Sequence, residues 1–324
     1  MSQLAIGVDI GGTNMRAALV DPAGRIIHHE RQRSRIGNDA IAYADEIVGL
    51  VESVVANAGF SMAVVGGVGI GIPGWIDRWT GELVLAPKFA SCNGRVLQER
   101  LQERFARPVS FDSDPHVATL GELWQGAGRG ALDFVMITLG TGIGCGIVLG
   151  GRLYSGHHGF GPEFGHMIVG EVSEIVCACG VRGCLESLAS GPAIGQAGRR
   201  AAQEGQAPRL LERASGVAER ITAETVVACA AEGDEASVAI LQRAGQLIGT
   251  ACANVVSLLE PERIVVGGGL SEVGEILLGP IRQTMQRCCY LIAQGYVSPE
   301  FRVAQLGDRA GVVGAARLAY DHMT

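Results

Sequence analysis

Two kinds of hydrophobic pattern alternate along the chain. Short apolar runs that end in glycine turns are typical of buried strands, and segments in which apolar residues recur every three or four positions are typical of helices. In the first 130 residues the runs predict strands at 3–10, 63–74 and 108–114, and a hairpin over 15–33 that turns at Asp21-Pro22-Ala23-Gly24. The predicted helices of this part are 39–58, with Asn38 or Asp39 as N-cap and Gly59 as stop, 95–106 and 115–127.

The second half continues the alternation with longer helices. Residues 133–154 predict three strands joined by two turns, and further strands are predicted at 263–270 and 301–306. The predicted helices are 192–203, 223–231, 235–259, 272–289 and 311–321. In the longest of them the apolar residues recur at intervals of three and four, at Ile240, Ala244, Leu247, Ala251, Val255 and Leu258. Strands thus alternate with helices, so we expect an α/β fold with mixed sheets.

The opening pattern of the chain recurs near its middle. The segments IGVDIGGTNMRAALV and VMITLGTGIGCGIVL both place a Gly-Thr pair in a tight turn between two apolar strands. This weak internal duplication suggests two related lobes. We predict an N-terminal lobe over 1–113, a C-terminal lobe over 114–310, and a last helix at 311–324 that returns to the N-terminal lobe.

Composition and charge narrow the classes of function. The chain has 324 residues, which suggests about two domains. The net charge of −7 argues against a nucleic-acid partner, and no apolar run is long enough to predict a transmembrane helix. The N-terminus has no pattern of a signal or transit peptide, so the expected location is the cytoplasm, where scattered cysteines stay reduced. These scattered cysteines are Cys92, Cys145, Cys229, Cys252, Cys288 and Cys289.

The two glycine turns are candidate phosphate sites. The turns Asp9-Ile10-Gly11-Gly12-Thr13 and Leu139-Gly140-Thr141-Gly142 can present bare backbone N–H groups to an anion, and the first also carries a carboxylate. Neither turn is followed by Gly-Lys-Ser/Thr, and neither matches the dinucleotide fingerprint, because both return as hairpins. Two tight β-turns without a ligand are the alternative interpretation.

Three cysteines with the spacing C-x-C-x₄-C form the most specific cluster. Cys177, Cys179 and Cys184 supply three soft ligands, and His166 upstream would complete a tetrahedral zinc site. A disulfide between cysteines one residue apart is disfavoured by geometry and by a reducing compartment, and a redox motif needs C-x-x-C. Zinc is therefore favoured over a disulfide, a redox centre or a small-residue turn.

Together these motifs resemble a known family. DIGGTN, GIGIPG, LGTGIG, EFGHM, CACGVRGCLE and VVGGGL run in order over almost the whole chain, to LGDRAGVVGAARLA at 306–319, and this set is similar to the ROK family of bacterial sugar kinases and repressors. The resemblance implies an α/β, two-lobed, actin-like ATPase fold of the ribonuclease H-like type, with mixed β-sheets flanked by helices and a zinc-binding loop. It also implies ATP-dependent phosphorylation of a hexose hydroxyl, a structural Zn²⁺, and a homodimer or homotetramer.

The resemblance also implies roles for individual residues. Asp114 matches the general base that accepts the proton of a sugar 6-hydroxyl. Asp9 matches a residue that holds Mg²⁺ through water, since Mg²⁺ keeps several of its waters. Residues implied to bind the sugar are Gly74, Ser113, Asp114, Glu163, His166 and Glu186. Residues implied to bind ATP are Gly11, Gly12, Thr13, Gly140, Thr141 and Gly142 at the phosphates, and Gly267, Gly268 and Gly269 near the adenosine. Zinc would be held by His166, Cys177, Cys179 and Cys184.

The chain departs from the family pattern at three positions. Ser113 and His116 stand where the family usually has asparagines, and Asn14 stands where most members have lysine. A lost two-ended hydrogen-bonding group can change sugar discrimination, so allose, N-acetylmannosamine and N-acetylglucosamine are alternatives to glucose. A sugar-responsive repressor and a non-catalytic sugar or nucleotide binder are further alternatives. For single residues the simpler interpretations are an N-cap for Asp114 and a helix-cap or surface role for Glu163.

Overall fold

The structure is a computed structural model that describes residues 3–35, 39–86, 89, 91–169 and 175–323. The alternative N-cap Asn38 lies outside the described residues, and Asp39 caps the first helix by accepting from the N–H groups of Ile41 and Ala42. The described strands are β1 (Leu4–Ile10), β2 (Asn14–Val20), β3 (Ile26–Arg33), β4 (Val65–Ile72), β5 (Gly74–Ile76), β6 (Leu83–Leu85), β7 (Val109–Ser113), β8 (Phe134–Leu139), β9 (Ile143–Leu149), β10 (Arg152–Tyr154), β11 (Arg263–Gly267) and β12 (Glu300–Val303).

The helices follow the predicted order with three additions. They are α1 (Ala40–Asn57), α2 (Gly94–Phe105), α3 (Asp114–Gln125), α4 (Leu185–Ala189), α5 (Gly191–Gln203), α6 (Pro208–Arg213), α7 (Ala223–Ala231), α8 (Glu235–Leu259), α9 (Glu275–Cys288), α10 (Tyr290–Ala293) and α11 (Ala310–Asp321). The sequence pattern did not predict α4, α6 and α10, which have four to six residues each and are too short to show a helical period. None of the helices within the described ranges is long and apolar enough to cross a membrane.

Contacts between Cα atoms divide the chain into two compact units. The first unit comprises Met1–Phe134, Gly146–Pro162 and Ala304–Thr324, and the second comprises Val135–Cys145 and Glu163–Val303. The helix α11, which we expected to return to the N-terminal lobe, is part of the first unit. The limits 1–113, 114–310 and 311–324 remain predictions beside these contact-defined units.

The first unit is built on a five-stranded mixed sheet in the order β3-β2-β1-β4-β7. The strands β1, β2 and β3 form antiparallel pairs, as the hairpin pattern predicted, whereas β1 with β4 and β4 with β7 are parallel. One face of the sheet packs against α1 and α2 in a large apolar core. All eight residues of β4 are buried, which explains why this strand is a continuous apolar and glycine run in the sequence.

The other face of this sheet packs against α11, and α11 packs against α3. Glycine is required at the contact between β1 or β4 and α11, because a Cβ at Gly7 would collide with the carbonyl of Val312, and one at Gly69 with that of Ala315. The close approach brings the start of α11 next to the end of β1, where Asp9 lies. The glycines of the strands are thus part of the packing, in addition to those of the turns.

The second sheet has the order β10-β9-β8-β11-β12. Within the second unit, β11 and β12 pair in parallel, and helix α8 packs against α4, α5, α7 and α9. The strand predicted over 263–270 ends at Gly267, because Gly268 has φ +83° and its Cα lies so close to the Leu139 carbonyl that a side chain would collide with it. The fold class predicted from the sequence, α/β with two mixed sheets flanked by helices, is confirmed.

Candidate functional site

The cysteine loop of the second unit forms a compact four-ligand cluster. Ligand atoms of His166, Cys177, Cys179 and Cys184 all lie within 4.8 Å of one another. Two short β-bridges, Ile168 with Cys184 and Val176 with Arg182, bring the segment after His166 beside the cysteine loop. The local backbone bonds of this loop, such as Cys177 N–H to the Val181 carbonyl at 2.8 Å, keep its thiols on one side.

The spacing of these atoms fits a tetrahedral zinc ion. Ligands about 2.3 Å from such an ion stand about 3.8 Å apart. The Sγ atoms of Cys179 and Cys184 are 3.6 Å apart, and Cys177 Sγ lies 3.7 Å from Nδ1 of His166. The nine cysteines are all free thiols, so the disulfide alternative is not realised. The residues present therefore match Cys₃His coordination, with His166 turned to the cluster through Nδ1.

The thiols of the cluster titrate differently. Burial raises the pKa of the Cys184 thiol to about 12 and also raises the pKa of Cys177, whereas a hydrogen bond from the Val181 N–H lowers the pKa of Cys179. Cys177 and Cys184 are buried and Cys179 is exposed. Cys179 is thus the member that ionises first, and a bound cation would be needed to ionise the other two at neutral pH.

The second ring nitrogen of His166 faces a carboxylate. Nε2 of His166 lies 3.7 Å from Oε2 of Glu163, and both side chains are partly exposed. Glu163 occupies the N-cap position of the short 3-10 turn Phe164–His166 and is exposed, as the simpler interpretation expected, but its side chain makes no capping hydrogen bond. The histidine can therefore face the metal cluster with one nitrogen and a polar group with the other.

Glu186 connects the cysteine loop to the second glycine turn. It lies in α4, directly after Cys184 and Leu185, and its Oε2 accepts a hydrogen bond from the Ile143 N–H at 2.8 Å. The same oxygen lies so close to Gly142 that a Cβ there would come within 2.6 Å of it. The conformation of the Gly140–Gly142 turn therefore depends on a side chain from the zinc-ligand segment.

This turn forms one wall of a large cavity in the second unit. The cavity measures about 810 Å³, and its lining includes Gly140, Thr141, Gly191, Arg199, Glu224 and Gly269. The first residue of α5 donates its N–H to the Gly140 carbonyl at 2.9 Å, so the N-terminus of this 13-residue helix lies beside the turn. Because the Gly191 and Ala193 N–H groups are bonded within the protein, the helix can contribute the positive end of its dipole, and the turn beside it can contribute backbone N–H groups to an anion.

The predicted GGG segment contributes to this cavity through one residue. Gly269 lines the cavity, at the start of the 3-10 turn Gly269–Val273. Gly267 is buried as the last residue of β11, and Gly268 makes the close approach to Leu139 described above. The structure therefore brings Gly140, Thr141 and Gly269 together at the cavity. Gly267 instead ends β11, and Gly268 allows the backbone to pass close to Leu139.

The first glycine turn lies in the first unit and carries a charged group at its base. Gly12 and Thr13 are exposed, and the Gly11 N–H donates to the Asn14 carbonyl at 2.9 Å. Asp9 is 17% exposed, and Nη1 of Arg16 lies 3.9 Å from its Oδ2. Burial raises the pKa of Asp9 to about 6, although the Arg16 guanidinium offsets part of the rise.

Arg16 also binds a carboxylate from the far end of the chain. Its Nη2 donates to Oδ2 of Asp308 at 2.6 Å, and Asp308 in turn helps to raise the pKa of Asp9. Two carboxylates and one guanidinium therefore surround the start of the turn. A carboxylate that is hard to ionise alone is a suitable ligand for a cation, because the cation stabilises its charged form.

The predicted base lies at the junction of β7 and α3 in the first unit. Asp114 is the first residue of α3 and Ser113 is its N-cap, so the interpretation of Asp114 as the N-cap is wrong. Ser113 is buried, and its side chain makes no capping hydrogen bond. His116, one turn along, is buried against Asp112, with 2.6 Å between Nδ1 and Oδ1.

Comparison with protein families identifies the chain. The family model described as "ROK family" matches residues 5–322. The chain belongs to the ROK family. The order of motifs that suggested this family in the sequence thus covers nearly the whole chain.

Individual relatives within the ROK family include enzymes and repressors. A glucokinase from Thermotoga maritima is 35% identical over 316 residues, which cover 97% of this chain and 96% of the relative. A xylose repressor from Caldicellulosiruptor bescii is 29% identical over 318 residues, or 98% of this chain and 78% of the repressor. A crystal structure of a ROK family glucokinase from Streptomyces griseus, in complex with glucose and AMPPNP, has a TM-score of 0.81 and 35% identity, and the match covers 98% of this chain and 99% of that chain.

The site residues that we assigned from the ROK resemblance are divided between the two units. Gly74, Ser113 and Asp114 lie in the first unit, and Glu163, His166 and Glu186 lie in the second. Sequence reasoning missed the cavity residues Arg199 and Glu224 and the N-terminus of α5. The Ser190-Gly191-Pro192 start of that helix was a visible signal, because a serine N-cap followed by proline marks the N-terminus of a helix.

Proposed function

We propose that the protein is an ATP-dependent hexose kinase, similar to glucokinases, that transfers the γ-phosphoryl group of ATP to the 6-hydroxyl of the sugar. The observation that carries the proposal is the 810 Å³ cavity of the second unit, with the Gly140-Thr141 turn and the α5 N-terminus on its wall. Its volume suits a nucleotide, and its backbone N–H groups suit phosphate oxygens. The glucokinase of Streptomyces griseus, which was crystallised with glucose and AMPPNP, supports the same assignment.

Asp114 is the proposed general base. A carboxylate at this position accepts the proton of the attacking hydroxyl as the oxygen bonds to the γ-phosphorus and the bond to ADP breaks. Asp114 begins α3 directly after β7, an edge strand that pairs in parallel with β4, and the carboxyl end of such a strand is a common place for a reacting side chain. We assign the proton transfer to Asp114 alone.

The two glycine turns are proposed to hold the phosphates. Gly11, Gly12 and Thr13 are the residues of the first turn that would contact them, and Gly140, Thr141 and Gly142 are those of the second turn. Asp9 would hold Mg²⁺, and its buried carboxyl group, with a raised pKa, fits a cation. When bound there, Mg²⁺ supplies positive charge for the phosphoryl oxygens.

The sugar is proposed to be bound by Gly74, Ser113, Glu163, His166 and Glu186. Among these, Glu163 and Nε2 of His166 already face each other at 3.7 Å, so they can share a sugar hydroxyl between an acceptor and a ring nitrogen. Zinc at His166, Cys177, Cys179 and Cys184 would hold the ring of His166 in this orientation. We also expect, from the family resemblance, a homodimer or homotetramer in the cytoplasm.

One observation keeps other sugars as alternatives to glucose. Ser113 has a single hydroxyl at a position where the family usually has an amide, and it is buried at the start of α3. A shorter group with one hydroxyl changes which sugar epimers can be bound well. Allose, N-acetylmannosamine and N-acetylglucosamine are therefore the alternative acceptors.

The Asp114→Asn variant tests the assignment of the base. The amide has nearly the same shape but is a poor proton acceptor, so we expect kcat to fall by about 10²- to 10⁴-fold while the sugar still binds. Sugar binding is measured by calorimetry, and ADP release is measured with a coupled assay. If Asp114→Asn keeps the wild-type kcat, the assignment of Asp114 as the base is wrong.

A further inference from the structure

A buried ion-pair partner lies two residues beyond the proposed base. His116 is 2% exposed, and its Nδ1 lies 2.6 Å from Oδ1 of Asp112. A carboxylate can only accept, so Nδ1 carries the proton in this pair. A buried imidazole without a partner would be costly, and the short contact to a carboxylate stabilises it in one orientation.

The same carboxylate oxygen also holds the backbone at the strand–helix junction. Oδ1 of Asp112 accepts from the Ser113 N–H at 2.8 Å as well as from His116. Asp112 is the residue before the last of β7 and His116 is in the first turn of α3, so the two donors, Ser113 and His116, lie on either side of Asp114 in the chain. The junction therefore has two hydrogen bonds to one atom where a helix usually has a side-chain N-cap.

The rest of α3 is already held in place by packing. A Cβ at Gly314 of α11 would collide with the Val117 carbonyl, and one at Gly121 of α3 would collide with the Ala310 carbonyl. Because the body of the helix cannot shift against α11, the direction of its first residue depends on the local bonds at the junction. Ser113 does not provide such a bond through its side chain, and Asp112 with His116 does.

We propose that His116, through Asp112, is a positioning residue for Asp114, and that its Nδ1–H group rather than its volume performs this role. The inference rests on the proposed function of Asp114 as the base. If the carboxylate of the base lies slightly too far from the attacking hydroxyl, the chemical step is slower, but the binding of sugar and ATP is almost unchanged. The pair should thus act on kcat and not on KM.

Two substitutions of similar polarity separate the N–H group from the ring. In His116→Asn the amide nitrogen can replace Nδ1, and in His116→Gln the amide corresponds to the Nε2 end and the bond to Asp112 is lost. We expect His116→Asn to keep kcat within about threefold of wild type, and His116→Gln to lower it by about 10- to 100-fold. The sugar dissociation constant and the KM for MgATP should stay within about threefold in both variants.

The Asp114→Asn background provides the decisive comparison. If His116 acts through Asp114, adding His116→Gln to Asp114→Asn lowers kcat by less than about twofold, because the group being positioned is already lost. Thr119→Val on the same helix is the matched control. It removes the 2.7 Å bond from Thr119 Oγ1 to the Pro115 carbonyl and should leave kcat within about twofold.

Several results would overturn the inference. A His116→Gln enzyme with wild-type kcat, equal losses for His116→Asn and His116→Gln, or the full His116→Gln loss in the Asp114→Asn background would each do so. An unchanged kcat for Asp114→Asn would instead contradict the assignment of Asp114 as the base. The inference about His116, which depends on that assignment, would then also be wrong. If His116→Gln does not fold, Asp112→Asn, which keeps an acceptor oxygen, and Asp112→Ala, which does not, allow the same comparison.

Discussion

Oε2 of Glu186 accepts a hydrogen bond from the backbone N–H of Ile143 at 2.8 Å, so the helix after the cysteine loop holds the end of the second glycine turn. One carboxylate oxygen is used in this bond. The other remains available for a second partner, which fits the proposed contact of Glu186 with the sugar. Glu186 thus connects the cysteine loop to the second glycine turn, and it could also contact the proposed sugar.

Substitutions of Glu186 should separate these two contacts. Glu186→Gln keeps one oxygen that can accept from Ile143 and replaces the other with an NH₂ group, so we expect a sugar KM raised by about tenfold and an unchanged affinity for AMPPNP. Glu186→Ala removes both contacts and should weaken both ligands. Calorimetric titrations with each ligand measure the difference. Equal effects of both variants on AMPPNP binding would contradict the separate use of the two oxygens.

The cysteine cluster should bind one zinc ion per chain. Cys179→Ser removes a ligand of the cluster, whereas Cys288→Ser removes an exposed thiol outside it and is the control. We expect metal analysis to find about one zinc per chain in the wild type and in Cys288→Ser, and a large loss in Cys179→Ser. Because a zinc ion in this cluster would orient His166, the zinc-depleted protein should bind sugar more weakly. If protein depleted of zinc by a chelator keeps full sugar affinity, the metal does not orient His166 for sugar binding.

The raised pKa of Asp9 predicts a stability that falls with rising pH. The carboxyl group titrates at about 6 in the folded chain and at 3.8 without its surroundings, so the folded state holds more protons between these values and loses stability as pH increases through them. Above this window the buried charge is a cost, and Asp9→Asn avoids it. Without Mg²⁺ we expect Asp9→Asn to be more stable than wild type by on the order of 1–3 kcal/mol at pH 8.

The comparison at low pH serves as the internal control for Asp9. At pH 4 the carboxyl group is protonated in the folded wild type and about half ionised in the unfolded chain, so most of the advantage of Asp9→Asn should disappear. Urea unfolding at pH 8 and at pH 4 measures both differences. An Asp9→Asn protein that is no more stable than wild type at pH 8 would show that Arg16 compensates the charge more fully than burial penalises it.

Substitution of Glu122 should lower the stability of the fold rather than change the catalytic step. Its carboxylate is fully buried and accepts from the N–H groups of Ala127 and Gln305 through Oε2 and of Leu306 through Oε1. Glu122→Gln places an NH₂ group opposite at least one of these donors, so we expect a loss of roughly 2–3 kcal/mol in the free energy of unfolding. The exposed Glu52→Gln is the control and should change stability by less than about 0.5 kcal/mol.

These contacts show which parts of the site the sequence could predict. The zinc ligands were visible because three of them lie on one short loop whose spacing matches a known coordination geometry. The glycine turns were visible because each interrupts two apolar runs. Both features are local, so their patterns can be recognised in a single sequence.

The contacts that could not be predicted join distant parts of the chain. Arg16 and Asp308 are 292 positions apart, and Glu122 and Leu306 are 184 positions apart, so no local pattern pairs them. The hydrogen bond between Asp112 and His116 spans only four positions, but it depends on the change from strand to helix between them. The short helices α4, α6 and α10 were not predicted for a different reason. Four to six residues are too few to show a helical period.

The most direct test of the proposed function is phosphoryl transfer to a panel of sugars. The wild-type protein is incubated with MgATP and with glucose, allose, N-acetylmannosamine or N-acetylglucosamine, and ADP and the sugar phosphate are both measured. We predict that at least one sugar raises ADP release far above the ATPase background, with one sugar phosphate formed per ADP. If no hexose or hexosamine does so, the protein is not a sugar kinase.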